Sequence, residues 1–355
     1  MSREVDQRRL ADLARLHAGP FTGDEVRRRG VPQGTVRRSL STGDLIKLGR
    51  SAFCPRDLWE RADPWQKFRL RSLGFAISAA PDDHLTGWSS AVLLGFPTWG
   101  EPPEVVTAIR DHPTLSGTNQ SMFAHIRTGT LPIPHRLDRG RYRLTDPAFT
   151  AIDLARHGSA ELALIALDHV AHAGVRPDGL RGLVEQLRNY PGIERAVWAV
   201  DQCDPRAESV LETLGRLAFI EAGREAPLSN VWISTPEGDF RADHLLPGSG
   251  TVIEGDGGLK LRDAEDPHAA MRQQVVRESA IRARGFALER YDLPIATHSR
   301  PRIVALADRA VRSQRGRPIP TNWTLDPPEH LRRWFANRQL RDRQNRAMRQ
   351  PRPTL

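Results

Sequence analysis

The sequence predicts a multidomain α/β protein. Its 355 residues exceed the roughly 100 to 200 residues of a typical domain, so we expect two or three domains. The composition is that of a globular chain, with 39% hydrophobic and 27% charged residues. Helical periodicity prevails over the first 200 residues, whereas residues 230–256 hold three strand-like segments preceded by a helix. These observations exclude a disordered or fibrous chain.

Two further classes are excluded by what the sequence lacks. No apolar run approaches the roughly 18 residues of a membrane span, and the first residues carry no signal-peptide stretch. We therefore expect a cytoplasmic protein without a membrane partner. Cys54 and Cys203 are the two cysteines, far apart and outside any CxxC motif, which argues against a disulfide framework or a zinc knuckle.

The positive charge is concentrated at the two ends. Residues 1–60 contain 12 Lys and Arg against 8 Asp and Glu, and residues 331–355 contain 8 Arg against one Asp. The net charge of the whole chain is +9, so residues 61–330 are close to neutral. Basic segments of this kind favour a polyanionic partner such as nucleic acid, the alternative being a role in solubility alone.

The first 58 residues predict a winged helix-turn-helix. An amphipathic helix comes first, and Thr22 is positioned to cap a second. A third helix is expected from about Pro32 to Thr42, with Gly43 ending it. Two short extended segments within residues 44–53 follow and predict the wing.

In such a module the third helix enters the major groove and the wing contacts phosphate. Guanidinium groups read guanine and amides read adenine. The third helix is expected to present its polar residues outward, namely Gln33, Thr35, Arg37 and Arg38. Lys47 and Arg50 are expected to contact phosphate. The alternative is a protein-interaction module whose arginines are only solvated.

The middle region, residues 61–200, is predicted to be mostly helical, with an extended insertion near Glu104 to Leu144. His169 and His172 are three apart on a helix and could share a metal, but no third ligand lies near, so a structural role is favoured. Asp153 and Arg156 predict an ordinary helical ion pair. We expect no catalytic chemistry here.

Three carboxylates meet at the end of a predicted hairpin. With Gly248-Ser249 as a two-residue type II′ loop, the numbers of opposed residues sum to 497, which places Asp243 across from Glu254. Asp256 shares the face of Glu254. Opposed like charges destabilise a sheet, so a cation is expected there.

Magnesium suits these oxygen ligands, because it can activate water and offset charge on a cleaved phosphodiester. Lys260 follows the acidic group and is one of three lysines among 52 basic residues. A compact ammonium can stabilise developing negative charge. The alternative is that Asp256-Gly257-Gly258 is a simple turn and Glu254 an exposed strand residue.

The front half of the chain resembles a known family. The segments GDEVRRRGVPQGTVRRSLSTGDLIKLGRSAFCP, HLTGWSSAVLLGFP and FTAIDLARHGSAELALIALDHVAHAG occur in the order found in actinobacterial proteins with an AbiEi-type antitoxin N-terminal domain. The resemblance covers residues 5 to about 175. It implies a DNA-binding antitoxin that represses its own operon, with a cognate toxin as partner. Trp88 stands where relatives often have histidine.

Residues 206–292 resemble PD-(D/E)XK nucleases of the very-short-patch-repair branch, through Ser209-Val-Leu-Glu212, Asp243 and the run from Val252 to Lys260. The resemblance implies a restriction-endonuclease-like α/β domain over residues 203–315. It also implies that Glu212, Asp243, Glu254 and Asp256 bind metal, while Lys260 and Arg277 assist or hold phosphate. Two departures exist: Lys260 replaces the usual histidine, and Asp256 stands where a lysine is expected.

The remaining residues, 316–355, predict a basic tail that tracks a phosphate backbone or solubilises the chain. The leading hypothesis is a protein that binds double-stranded DNA and cuts it with magnesium. One alternative is a non-enzymatic antitoxin and repressor with a degenerate nuclease fold, and another is a protein-interaction adaptor.

Overall fold

The computed structural model describes residues 3–112, 117–256 and 266–332. These residues form two compact units. The first contains the described part of Met1–His157 together with Gly182–Ala196, and the second contains Gly158–Arg181 and the described part of Val197–Ala347. Both combine helices with a mixed sheet, which agrees with the predicted α/β class. Within the described ranges no helix has the length and apolarity to cross a membrane.

The N-terminal part of the first unit consists of three helices and a small sheet. In chain order its elements are α1 (Arg3–His17), β1 (Phe21–Thr22), α2 (Gly23–Arg28), α3 (Gln33–Ser41), β2 (Leu45–Lys47) and β3 (Ala52–Pro55). The sheet is antiparallel with the order β1-β3-β2. Leu13, Phe21, Val26 and Val36 form its apolar core. This arrangement is compatible with the predicted winged helix.

Local sequence explains where these helices begin and end. Thr22 Oγ1 accepts the N–H of Glu25, and the Glu25 carboxylate accepts the N–H of Thr22 at 2.7 Å, so α2 starts with a capping box. Gly43 follows α3 with φ +79°, a conformation that glycine adopts without strain. The predicted cap and stop are therefore confirmed.

The wing packs directly on a later helix. The next elements are α4 (Arg56–Arg61) and α5 (Pro64–Ala76). A Cβ atom placed on Gly49 would lie 2.3 Å from the carbonyl oxygen of Gly74 in α5, so only glycine fits at this contact. Leu48, Cys54 and Leu70 form a buried apolar cluster around it. The wing is thus anchored to α5.

The rest of the first unit contains a six-stranded mixed sheet with the order β6-β7-β5-β4-β9-β8. Its elements are β4 (Asp83–Leu85), α6 (Gly87–Leu94), β5 (Val106–Asp111), β6 (Gly117–Gln120), β7 (Ala124–Gly129), a 3-10 turn (Ile133–His135), β8 (Arg136–Asp138), β9 (Arg143–Thr145) and α7 (Pro147–His157). The segment expected as an extended insertion in a mostly helical region therefore builds most of a sheet. Val106 and Ala108 are buried on one side of β5, with the half-buried Thr107 between them, and give this sheet an apolar face.

The second unit contains the following elements, with α9 and α10 crossing the boundaries between the units in sequence: α8 (Ala160–His172), α9 (Pro177–Gln186), α10 (Ile193–Gln202), α11 (Val210–Glu221), β10 (Leu228–Thr235), β11 (Gly238–Leu246), β12 (Thr251–Asp256), α12 (Pro267–Ala283), β13 (Ala287–Asp292), α13 (Leu293–His298), α14 (Pro301–Ser313) and β14 (Trp323–Thr324). Its sheet has the order β13-β12-β11-β10-β14. Strands β12 and β13 are parallel, whereas the other neighbours are antiparallel.

The hairpin of β11 and β12 confirms the predicted register but not the predicted turn. His244 pairs with Ile253 and Leu245 with Val252, so the residue numbers sum to 497 as expected. The positive φ of +60° belongs to Gly250, and Gly248 has no positive φ, so the type II′ turn was wrong. A Cβ atom on Gly250 would lie 2.4 Å from Cδ of Pro320, a packing constraint from a distant segment.

Helix α11 lies against the sheet through a close contact at Gly215. A Cβ atom there would lie 2.0 Å from Tyr291 Oη and 2.7 Å from His244 Nε2. Tyr291 Oη donates to the carbonyl oxygen of Leu211 at 3.0 Å and lies 3.1 Å from His244 Nε2. This buried contact fixes the N-terminal turn of α11, which carries Glu212.

Candidate functional site

Helix α3 presents a polar face to solvent. Gln33, Arg37 and Arg38 are exposed, whereas Val36 and Ser39 on the opposite side are buried. The helix starts after Pro32 and ends at Ser41, close to the predicted bounds. Three of the four side chains predicted to face outward are therefore accessible to a ligand.

The outward orientation predicted for Thr35 was wrong. Thr35 is half-buried, and its hydroxyl donates to Asp6 Oδ2 at 3.1 Å. Asp6 belongs to α1 and is 5% exposed. The hydroxyl of Thr35 thus joins α3 to α1, a contact that a single helix pattern does not reveal.

The two predicted phosphate contacts lie in the wing. Lys47 and Arg50 are both exposed. Nζ of Lys47 lies 5.9 Å from the centre of the Phe123 ring, within the range of a cation–π interaction. Both cations remain accessible to a polyanion.

The predicted acidic group borders a cleft of about 860 Å³ in the second unit. Asp243, Glu254 and Asp256 lie along it, and Arg277 and Arg290 supply the facing cations. Asp243 Oδ2 accepts the N–H of Gly255 at 2.9 Å, which holds its carboxylate beside Glu254. These three carboxylates therefore border the same cleft.

Glu254 is buried and already engaged. Both carboxylate oxygens accept from Nη2 of Arg277 at 2.9 Å, and the residue is 4% exposed. Burial raises the pKa of Glu254 well above its usual range, the charge of Asp243 raises it further, and Arg277 acts in the opposite direction. The buried position excludes the alternative that Glu254 is an exposed strand residue.

Glu212 serves the helix terminus rather than the cleft. Its carboxylate accepts the N–H of Glu208 at 2.9 Å, the hydroxyl of Ser209 at 2.8 Å and the side-chain amide of Asn230 at 2.6 Å. Burial raises the pKa of Glu212 above its ordinary value, although the Glu208 N–H opposes the shift. Glu212 is not among the residues that line the cleft.

Two of the three carboxylates that border the cleft are engaged by arginines. Asp256 forms an ion pair with Nη2 of Arg290 at 3.0 Å, and Glu254 is bound by Arg277. Within the described ranges no group of three or more His, Cys, Asp or Glu side chains is arranged to hold a metal ion. Lys260 and the arginine-rich tail beyond residue 332 lie outside the described residues. The magnesium ligands stay a prediction.

The ion pair of Asp153 and Arg156 belongs to a larger charged group than the sequence predicted. Asp153 and Arg156 form the expected ion pair at 3.0 Å, but both are buried and border a cavity that also contains Arg127 and His157. The spacing within α7 predicted the pair. Arg127 arrives from strand β7, so its contribution depends on strand order, which no local pattern specifies.

Comparison with known protein families identifies the N-terminal segment. Residues 8–56 match the model of the transcriptional regulators described as AbiEi antitoxins. The matched residues run from α1 through β3 and into α4, and they contain the exposed face of α3. The predicted resemblance of this segment is confirmed, and it supports a DNA-binding regulator. The resemblance of residues 206–292 to nucleases stays a prediction.

A second similarity is more limited. A stretch of 163 residues is 27% identical to peptidyl-prolyl cis-trans isomerase-like 2 of Aspergillus fumigatus. The match covers 44% of this chain and 28% of that protein. Because the chain spans less than a third of that relative, the likeness assigns no activity to it.

Proposed function

We propose that the chain is a transcriptional regulator of the antitoxin type that reads double-stranded DNA with α3. The observation that carries this proposal is the exposed face of Gln33, Arg37 and Arg38, within the segment that matches the AbiEi regulators. A guanidinium binds O6 and N7 of guanine in a bidentate manner, and an amide binds adenine. Lys47 and Arg50 add contacts to phosphate, which position the protein without reading sequence.

The test compares two arginine variants on two DNAs. Fluorescence anisotropy measures binding of the full chain to a fragment from upstream of its own gene and to a scrambled fragment. Arg37→Ala should weaken binding to the first by about 1 to 3 kcal/mol and leave the second nearly unchanged. Arg50→Ala should weaken both alike. Arg8→Ala, an exposed change on α1, is the control and should preserve the ratio of the two affinities. Equal losses of specificity in all variants would remove the assignment to α3.

A second candidate function is magnesium-dependent DNA cleavage by residues 203–315. It is supported by the order α11, β10, β11, β12, α12 and β13, with a parallel pair at the end, which agrees with the nuclease resemblance. Asp243, Glu254 and Asp256 at one cleft support it as well. The binding of Glu254 by Arg277 favours the alternative, a regulator that keeps this fold without cutting.

Cleavage is tested with plasmid and oligonucleotide substrates in magnesium or manganese. A nuclease requires Asp243→Ala to abolish cutting, whereas Asp239→Ala, on the same strand and paired with Ser234, should retain it. If the substrates stay intact, or if Asp243→Ala cuts them as well as the parent does, the nuclease function is excluded and the regulator remains. For the cognate toxin, co-expression with the neighbouring reading frame followed by purification of the complex is the direct test.

A further inference from the structure

The first unit contains a cavity of about 400 Å³ that the proposed DNA reading does not use. One wall is a face of the six-stranded sheet. Strand register places Thr118, Arg127 and Ile109 in a single row across β6, β7 and β5, so their side chains share this face. The last turn of α7 forms the facing wall with Asp153 and Arg156.

The charges of this cavity do not balance. Asp153 is 2% exposed and is the only carboxylate among the described lining residues. It accepts from Arg127 Nη2, from Arg156 Nη1 at 3.0 Å and from Thr86 Oγ1 at 2.7 Å. Two guanidinium groups therefore share one carboxylate, and one positive charge is left over; the Arg156 side chain is 4% exposed and the Arg127 side chain 26%.

The neighbouring histidine does not remove this excess charge. Burial lowers the pKa of His157, and the charges of Arg127 and Arg156 lower it further against the opposing effect of Asp153. His157 is thus neutral at pH 7, and its Nε2 accepts from Nη1 of Arg127. Nε of Arg127 is buried and has no hydrogen-bond partner among the described residues. A buried donor without a partner is costly, so the hydrogen-bonding capacity of Arg127 is incompletely satisfied within the protein.

Polar and apolar groups are arranged so as to hold the two ends of a small molecule. Thr118 lies on the sheet side of the cavity, in the same row as Arg127. Tyr190 lies on the other side, with the guanidinium of Arg156 4.6 Å from its ring centre. Ile109 and Pro191 supply apolar surface. The volume exceeds that of an inorganic ion and lies within the range of small-molecule pockets.

We propose that this cavity is a binding site for a small phosphate monoester, with its phosphate at Arg127 and its organic part against Tyr190. Guanidinium groups match phosphate geometry and form strong charge-assisted hydrogen bonds. The cavity has a volume of about 400 Å³, a size that suits a small ligand rather than a duplex. The site is separate from α3, so it stands whether or not the chain reads DNA.

The experiment uses ribose 5-phosphate as the probe and ribose as the uncharged control. Calorimetry and thermal denaturation are carried out on the full chain without DNA. Ribose 5-phosphate should bind and raise the melting temperature, inorganic phosphate should compete with it, and ribose should do neither. Arg127→Gln should weaken binding at least about 10-fold, because it removes a charged donor. Arg143→Gln is the control. Arg143 forms an ion pair with Asp138 at 3.3 Å and is not among the residues that line the cavity.

A second variant guards against misfolding of Arg127→Gln. Thr118→Trp occupies the cavity from an exposed position on an edge strand and leaves the ion pairs of Asp153 intact. It should abolish binding while the ligand-free melting temperature stays that of the parent. Three outcomes would each overturn the proposal. The first is that ribose 5-phosphate does not bind at concentrations up to about 10 mM, the weakest affinity of interest. The others are that both variants bind it with the affinity of the parent, or that Arg127 is needed for binding a DNA oligonucleotide but not for binding ribose 5-phosphate.

Discussion

The exposed face of α3 and the acidic cleft of the second unit both carry arginines, but in opposite electrostatic states. Arg37 and Arg38 are exposed and form no ion pair with any described residue. In the cleft, Arg277 binds Glu254 and Arg290 binds Asp256. Charge on α3 is available to a polyanion, whereas charge in the cleft is neutralised within the protein. The net charge of a sequence segment does not distinguish a free arginine from one in an ion pair, because the partner carboxylate can come from a distant segment.

The largest effect is expected on breaking the buried pair of the cleft. Arg277→Met leaves Glu254 without its cation and should lower the free energy of unfolding by about 3 to 5 kcal/mol at pH 8. The raised pKa of Glu254 rises further in the variant, so stability should fall more steeply than in the parent as pH rises from 5 to 8. Urea denaturation across this range measures it.

The matched control is the double variant Glu254→Gln with Arg277→Met, which has no buried carboxyl at this position. It should lack the added pH dependence. If Arg277→Met unfolds at the same urea concentration as the parent at every pH from 5 to 8, Arg277 and Glu254 do not form an ion pair in solution. The arginines of the cleft would then be as available to a polyanion as those of α3.

The next effect concerns the packing that holds the cleft in place. Gly215→Ala brings a methyl group to 2.0 Å from Tyr291 Oη, so the helix or the sheet must move. We expect a loss of about 3 kcal/mol in the free energy of unfolding, measured by urea denaturation. Gly182→Ala in α9 has no atom within 4 Å and should be neutral or stabilising. Equal free energies of unfolding for Gly215→Ala and Gly182→Ala would contradict the close contact at Gly215.

Burial of His244 predicts an acid-sensitive second unit. Burial lowers the pKa of His244 to about 4, against 6.5 when unfolded. A lowered pKa means that stability is complete above the unfolded value and is lost as pH falls toward 4. The contribution is about 3 kcal/mol between pH 7 and 4. Between pH 7 and 4 the free energy of unfolding of His244→Gln should therefore fall by about 3 kcal/mol less than that of the parent. His298 is exposed, so His298→Gln should show the same pH dependence as the parent.

The smallest effect lies in the N-terminal region. Thr22→Ala removes the hydroxyl that caps α2 and should lower the free energy of unfolding by about 1 kcal/mol. DNA affinity of the folded protein should not change, because α3 keeps its exposed side chains. A loss of DNA affinity larger than the loss of stability would mean that α2 itself contacts DNA.

Local sequence predicted those features that depend on neighbouring residues. The cap at Thr22, the bounds of α3, the stop at Gly43 and the register of the β11–β12 hairpin all follow from patterns within about 15 residues. The resemblance carried by residues 8–56 was likewise visible, since it rests on a continuous stretch.

The wrong predictions depended on partners that are distant in sequence. The orientation of Thr35 depends on Asp6, and the turn conformation at Gly250 depends on Pro320. The sheet of the first unit was missed for the same reason, since its strand order joins segments separated by helices.

The contact between Gly49 and Gly74 bears on how this protein should be divided for experiment. A fragment cut at residue 58 would contain every DNA contact predicted for the winged helix and yet lose the helical surface on which the wing rests. Leu48 and Cys54 would be left exposed to water. The smallest autonomous DNA reader must extend through Ala76, so a failure of the shorter fragment to bind would report a truncated core and not the absence of DNA recognition.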